Sequence, residues 1–155
     1  MSAPACLNGV VDASVGIKLC IREPDSDLAD TLFALVAASP PVELYVPDLF
    51  YIECSNILWK HVMHSGHPPD QAERDMQQLL LLRLHRTPTA DLAPDALRIA
   101  IAHAITAYDA CYVALADRLG LPLVTADDAL IRKLAGTRFS LLRLGDLPLP
   151  PPPSP

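Results

Sequence analysis

Short apolar runs alternate along this chain with longer stretches of helical periodicity. LNGVVDA reads as a first buried strand. Helices are expected at about 14–22 and 26–38, the second broken by Ser39-Pro40-Pro41. VELYV is a short strand stopped by Pro47, and Pro47 suits the first turn of a helix over 48–64. Ser65-Gly66-His67-Pro68-Pro69 is a turn. The next helix spans 70–82, with Asp70 and Glu73 near its N-terminus, where the helix dipole favours negative charge. LRLHR reads as a strand, although its leucines also suit a helix. Helices follow over 92–104 and 108–119, and Gly120 stops the second. LPLVTA is a strand, 127–135 a helix and FSLLRL a final strand.

Strands interleaved with helices imply a parallel sheet covered on both faces, with right-handed crossovers. No internal repeat or linker interrupts the chain. A single domain over 1–147 is therefore expected, followed by a Pro-rich tail, 148–155, that is polyproline II or disordered. A partner that reads proline-rich segments is the lesser alternative for the tail. The 155 residues are 51% apolar and 19% charged, which suits a packed globular core rather than a disordered chain. Aromatics make up 5%, so that core is built from Leu, Ala, Val and Ile. No apolar run reaches the roughly 18–20 residues that span a bilayer, so no membrane association is expected. The N-terminus MSAPACLNGVV does not read as a signal peptide, and a cytoplasmic protein is expected. Cys6, Cys20, Cys54 and Cys111 form no CxxC pair and read as free thiols. The formal charge of −6 offers no basic footprint for duplex nucleic acid. It counts less against an enzyme whose metal ions neutralise both its site and a substrate phosphate.

Four carboxylates interrupt apolar stretches: Asp12 in GVVDASV, Glu53 in PDLFYIECSNILW, Asp109 in AYDACYVALA and Asp127 in PLVTADDAL. An unpaired carboxylate in such a place costs several kcal/mol or is driven neutral. In open parallel α/β sheets, ligands bind beyond the carboxyl ends of the strands, at the switch in strand order. Asp12 and Asp127 each follow a strand directly, so both belong at that edge; a helix N-cap explains each of them equally well. Glu53 and Asn56 break a helical stripe with Leu49, Ile57 and Lys60 that otherwise suits the core, and Asp109 aligns with Ile105, Tyr112, Val113 and Ala116. A solvated edge or a buried bond to an arginine remains the alternative for these two. Hard oxygen donors without clustered Cys or His point to Mg²⁺ or Mn²⁺ rather than zinc. One or two such ions clamp a phosphodiester and activate water. Ser14 and Thr125 stand two residues from Asp12 and Asp127, placed to hold a metal-bound water or phosphate oxygen, or simply to satisfy local backbone groups.

The remaining polar residues have plainer readings. His61, His64 and His67 have metal-like spacing, but Gly66 and Pro68 break the helix between them. Lys18, Arg22 and Lys60 are read as solvated surface, with contact to a substrate phosphate as the alternative. Trp59 and Tyr51 suit packing, a dimer contact or a base.

The segments VVDASVGIKL, VPDLFYIECSNILWK and AYDACYVALADRLGLPLVTADDAL, in this order, resemble the PIN domain family. They look most like the VapC group of toxin ribonucleases from bacterial type II toxin–antitoxin modules. The resemblance covers about residues 9–147. It implies a three-layer α/β/α fold with a five-stranded parallel sheet in the order 3-2-1-4-5. It implies Mg²⁺- or Mn²⁺-dependent endonucleolytic cleavage of RNA by water, leaving a 5′-phosphate and a 3′-hydroxyl. On this resemblance Asp12, Glu53, Asp109 and Asp127 form the acidic site, with Asp12, Asp109 and Asp127 as metal ligands and Ser14, Asn56 and Thr125 in support. Asp128 is a neighbour of undecided role. The resemblance further implies a homodimer and a VapB-like antitoxin whose C-terminal segment lies over the acidic groove. Two other classes compete: a PIN-like module that only binds a partner, and a receiver-type phosphoacceptor. The latter needs an acceptor Asp after the third strand and a Lys after the fifth, and LRLHRT and FSLLRLGD supply neither.

Overall fold

A computed structural model describes residues 7–151 of the chain. Cys6 and the last four residues of the Pro-rich tail lie outside the described residues. Five short strands form one parallel sheet: β1 (Gly9–Val11), β2 (Leu44–Pro47), β3 (His85–Thr87), β4 (Leu123–Thr125) and β5 (Leu141–Arg143). Their order is β3-β2-β1-β4-β5, as the resemblance implied. The helices are α1 (Ala13–Gly16), α2 (Ser26–Ala34), α3 (Leu49–Ser65), α4 (Pro69–Leu81), α5 (Thr89–His103), α6 (Ala107–Leu119) and α7 (Asp128–Leu134).

The central strands β1 and β4 are wholly buried, which is why they are apolar up to Thr125 rather than alternating. Val10 lies opposite Tyr45 on one side and Leu123 on the other. The chain steps outward from β1 through β2 to β3, then crosses back to β4 on the other side of β1 and on to β5, so the switch in strand order falls between β1 and β4. Val11 is in register with Val124, which brings Asp12 and Thr125 level as they leave the sheet. α6 crosses β1, β2 and β4 with every residue from Ala110 to Ala116 buried. It ends on Gly120 at φ 64°, a left-handed cap that suits glycine.

Several boundaries differ from the sequence pattern for identifiable reasons. The helix expected at 14–22 is only α1 followed by a 3₁₀ turn over Ile17–Leu19. The chain folds back there because Lys18 Nζ reaches Glu23 (2.9 Å) and the Pro24 carbonyl (2.8 Å). Lys18 is therefore buried and paired, neither solvated surface nor a phosphate contact. The second helix likewise closes as α2 plus a 3₁₀ turn over Leu35–Ala37. Pro47 does not open α3. It ends β2 opposite Thr87, where a missing N–H is tolerated, and Asp48 occupies the cap position. Asp48 Oδ1 accepts both the Thr89 N–H (2.9 Å) and its hydroxyl (2.5 Å), which starts α5 earlier than the apolar pattern predicts. The start of the tail is ordered onto the core: Leu147 is buried and Leu149 packs beside it.

α1 and α3 approach closely at Gly16. A Cβ on Gly16 would lie 2.4 Å from Phe50 Cζ, and Phe50 is fully buried on α3. Gly16→Ala is expected to destabilise the protein by about 1–3 kcal/mol through overpacking. Chemical denaturation checks this, and a Gly16→Ala protein as stable as wild type would contradict the tight α1–α3 contact.

Candidate active site

Asp12 leaves the end of β1 and caps α1, accepting the Val15 N–H at 3.3 Å. It is 6% exposed, and two hydroxyls satisfy it. Ser14 Oγ donates to Oδ1 and Thr125 Oγ1 donates to Oδ2, each at 2.5 Å. Both hydroxyls are in turn fixed from the loop after β4: the Ala126 N–H donates to Ser14 Oγ (2.9 Å) and the Asp127 N–H to Thr125 Oγ1 (3.0 Å). Ser14 and Thr125 thus build the site by orienting Asp12 between β1 and β4. Their hydroxyl protons are committed to that carboxylate.

Asp127 caps α7 through the Leu130 N–H (3.1 Å) and lines a cleft with Asp109, Thr106 and Lys133. Cap and site roles coincide for both strand-end acids. Asp128 points elsewhere: its carboxylate takes the Arg143 guanidinium at 2.6 Å, on the exposed surface. That pairing separates the two neighbouring aspartates.

Asp109 sits in the first turn of α6, where Thr106 caps the helix by accepting the Asp109 N–H at 3.1 Å. Thr106-x-x-Asp109 is a legible capping pattern, and sequence reasoning passed over it. Glu53, on α3, is half-buried and lines a second cleft with Asn56, Trp59 and Tyr108. The stripe it shares with Asn56 and Lys60 is not a core stripe. α3 buries Phe50, Cys54 and Leu58 instead, and Asn56 and Lys60 are exposed. Glu53 Oε1 is buried without a hydrogen-bond partner among the described residues. Tyr112 bears on Glu53's ionisation from α6, yet its hydroxyl also closes no hydrogen bond.

The carboxylates act on one another. Burial pushes Asp12 up to about 6, against the lowering effect of Ser14 and Thr125, and the charge of Asp109 adds to the rise. Glu53 is raised by burial and then by Asp109. Asp109 is raised by burial and by Asp127, with Lys133 opposing. Asp109 is therefore the hub: Asp12, Glu53 and Asp127 are each coupled to it. Asp48, although it too follows a strand, behaves oppositely. Its bonds to Thr89 hold it below the usual carboxylate range.

Among the described residues, no three His, Cys, Asp or Glu side chains stand close enough to cage a metal ion unaided. The donor set still fits a hard divalent cation: every group is an oxygen, and Glu53 Oε1 lacks a partner. Mg²⁺ is commonly held by one or two carboxylates with waters and substrate phosphates, which needs no three-residue cage.

The other candidates have structural roles. His67 Nε2 lies 3.2 Å from Asp75 on α4. Arg22 forms a forked pair with Asp30. Tyr51 lies under the Arg86 guanidinium, 4.7 Å from its ring centre, whereas Trp59 is 54% exposed and so is not a core residue. Cys54 and Cys111 are buried free thiols, as expected, and Cys20 is a half-buried one. No single helix among the described residues is long and apolar enough to cross a membrane.

Known proteins resemble this chain in sequence and in fold. Residues 9–136 match the model of the PIN domain family. Ribonuclease VapC3 of Pyrobaculum aerophilum is 36% identical over 128 residues, 80% of this chain and 92% of the relative. The crystal structure of PAE2754 from the same organism superposes with a TM-score of 0.62 at 25% identity, covering 90% of this chain and 92% of that one. A toxin–antitoxin complex from Klebsiella pneumoniae shares the fold at a TM-score of 0.60 and 16% identity, covering 88% of this chain and 98% of that one.

The raised Asp12 carries a stability consequence. A carboxyl whose folded-state pKa lies above its unfolded value stabilises the fold below the unfolded pKa, and that stability is lost as pH rises through the folded pKa. For Asp12 the window runs from 3.8 to about 6. The loss amounts to about 3 kcal/mol at most, at 1.36 kcal/mol per unit. In chelator, Asp12→Asn is expected to gain stability over wild type as pH climbs from about 4 to about 7. Urea denaturation across that range checks it; parallel curves for the two proteins would contradict a buried, strained Asp12.

Proposed function

The chain belongs to the PIN domain family, and on that premise we propose that it is a VapC-type toxin: an endoribonuclease that uses Mg²⁺ or Mn²⁺. The observation that supports this most is geometric: Asp12 leaves the sheet level with Thr125 at the β1–β4 switch point, and Asp127, two residues on, shares a cleft with Asp109. Like charges gathered in a half-buried groove have little structural value and invite a cation.

In this reading one or two of Asp12, Asp109 and Asp127 would hold the ion directly and the rest would reach it through its waters. The bound cation supplies Lewis acidity at the phosphodiester and lowers the cost of forming hydroxide. The protein's own groups do the rest. Ser14 and Thr125 lock the Asp12 carboxylate in one orientation. Glu53, raised above the usual carboxylate range and not hydrogen-bonded at Oε1, accepts the proton of the attacking water. Water adds to phosphorus as the bond to the 3′-oxygen breaks, and that oxygen takes a proton from solvent, leaving a 5′-phosphate and a 3′-hydroxyl.

The partners follow from the same reading. RNA is the substrate. A VapB-like antitoxin covers the acidic groove, a role favoured by the toxin–antitoxin complex among the fold's relatives. Ile52, Trp59 and Tyr108 are all more than half exposed beside Glu53, and they provide apolar surface for such a segment. A homodimer is proposed on the family resemblance.

Asp109→Asn is expected to lower RNA cleavage by at least about a hundredfold and to abolish growth inhibition on expression. Its fold, read by circular dichroism, stays intact because the change removes repulsion. Wild-type cleavage of a circular RNA, stopped by chelator, supports an endonuclease. Full activity in excess chelator, or in Asp109→Asn, would contradict the assignment. Normal folding and antitoxin binding without metal-stimulated cleavage would show a binding module instead.

A further inference from the structure

The cleft that joins Asp109 to Asp127 has a volume of about 350 Å³, and one of its walls is Lys133. Lys133 lies in the last turn of α7, whose N-cap is Asp127. Its ammonium donates to the Ala104 carbonyl at 3.3 Å, at the left-handed cap that ends α5. An ammonium has three donors, and that single long bond to a neutral carbonyl uses one. Lys133 forms no ion pair among the described residues, although two carboxylates share its cleft. Of the cations weighed from the sequence as phosphate contacts, Lys60 is exposed on α3 and forms no ion pair among the described residues, but it does not line this cleft; the others, and Arg143 beside Asp128, are engaged. Lys18 is buried against Glu23, Arg22 is forked onto Asp30, and Arg143 bridges Asp128 and Asp146. The charge of Lys133 also reaches Asp109, where it opposes the rise in that carboxyl's pKa.

We infer that Lys133 binds a backbone phosphate of the RNA strand, next to the phosphodiester at the acidic groove. This rests on the ribonuclease reading and names a substrate-contacting residue for it. The physical need is plain. A chain of net charge −6 presents a polyanion with an acidic groove, and a cation bound at the scissile group does nothing for the neighbouring phosphates. An exposed lysine lining the same cleft as the carboxylates, with donors to spare, supplies a contact there. The chemistry is sequence-independent: it positions the strand and does not read bases.

The test uses the full chain carrying Asp12→Asn to prevent cleavage, in magnesium buffer, with a fluorescein-labelled single-stranded RNA of mixed sequence. Binding is followed by anisotropy over a range of salt concentrations. Lys133→Gln keeps a donor for the Ala104 carbonyl and removes the charge; Lys133→Arg keeps both. One phosphate contact on a single strand contributes a slope of about −0.7 in log K against log salt, or about eightfold in affinity at about 50 mM salt. Lys133→Gln is expected to show both losses at an unchanged melting temperature, and Lys133→Arg to retain wild-type behaviour. Equal affinity and slope for Lys133→Gln and its parent would overturn the phosphate contact and leave the ribonuclease reading standing. A Lys133→Gln protein that loses affinity only together with melting temperature, with an unchanged slope, assigns Lys133 to clamping the α5–α6 turn and also overturns it. If the wild type neither cleaves RNA nor binds it in the Asp12→Asn form, the ribonuclease reading fails and the contact fails with it.

Discussion

The Asp12 carboxylate is the joint on which the site depends. It stands at the switch between β1 and β4, buried, with one oxygen taken by Ser14 and the other by Thr125. Those hydroxyls are pinned by the N–H groups of Ala126 and Asp127. One carboxylate therefore fixes the first turn of α1 to the loop that starts α7, and so sets where Asp127 emerges. Hydrogen bonding to both oxygens does not offset its burial, and Asp12 remains well above the ordinary carboxylate range. In the proposed reading, a cation would relieve this cost.

Around that joint the fold assembles repulsion. α6 delivers Asp109 from the N-terminal end of a helix buried from Ala110 to Ala116, and α3 delivers Glu53 with one oxygen unpartnered. The scaffold can carry these costs because they are concentrated at one edge. Elsewhere carboxylates are conventionally paired: Asp48 with Thr89, Asp128 with Arg143, Asp117 with Arg138. The contrast between satisfied acids on the surface and strained acids in the groove marks the functional edge more sharply than any motif does.

Much of this was legible in the sequence. The alternation of elements and the resemblance together gave the sheet order, and two strand-end aspartates located the switch point. Glu53 and Asp109 stood out because a carboxylate in an apolar helical run is costly. What stayed hidden depends on partners far along the chain. Asp127 and Asp128 are indistinguishable by position until Arg143 claims one of them. Asp48 gains its meaning from Thr89, and Lys18 is buried by a local fold-back that periodicity does not encode. The α3 stripe was misassigned because α3 buries the adjacent face, through Phe50, Cys54 and Leu58. Lys133 belongs to the site only because α7 packs beside the α5–α6 turn.

The central claim is that Asp12, Glu53 and Asp109, raised by burial, are relieved by a divalent cation. Calorimetric titration of Mn²⁺ into the protein at about pH 6, repeated in buffers of different ionisation enthalpy, tests it most directly, because a cation that binds raised carboxyls must displace protons. The account predicts saturable binding with net proton release, both greatly reduced in Asp109→Asn. Binding that releases no protons, or that survives Asp109→Asn unchanged, would contradict it.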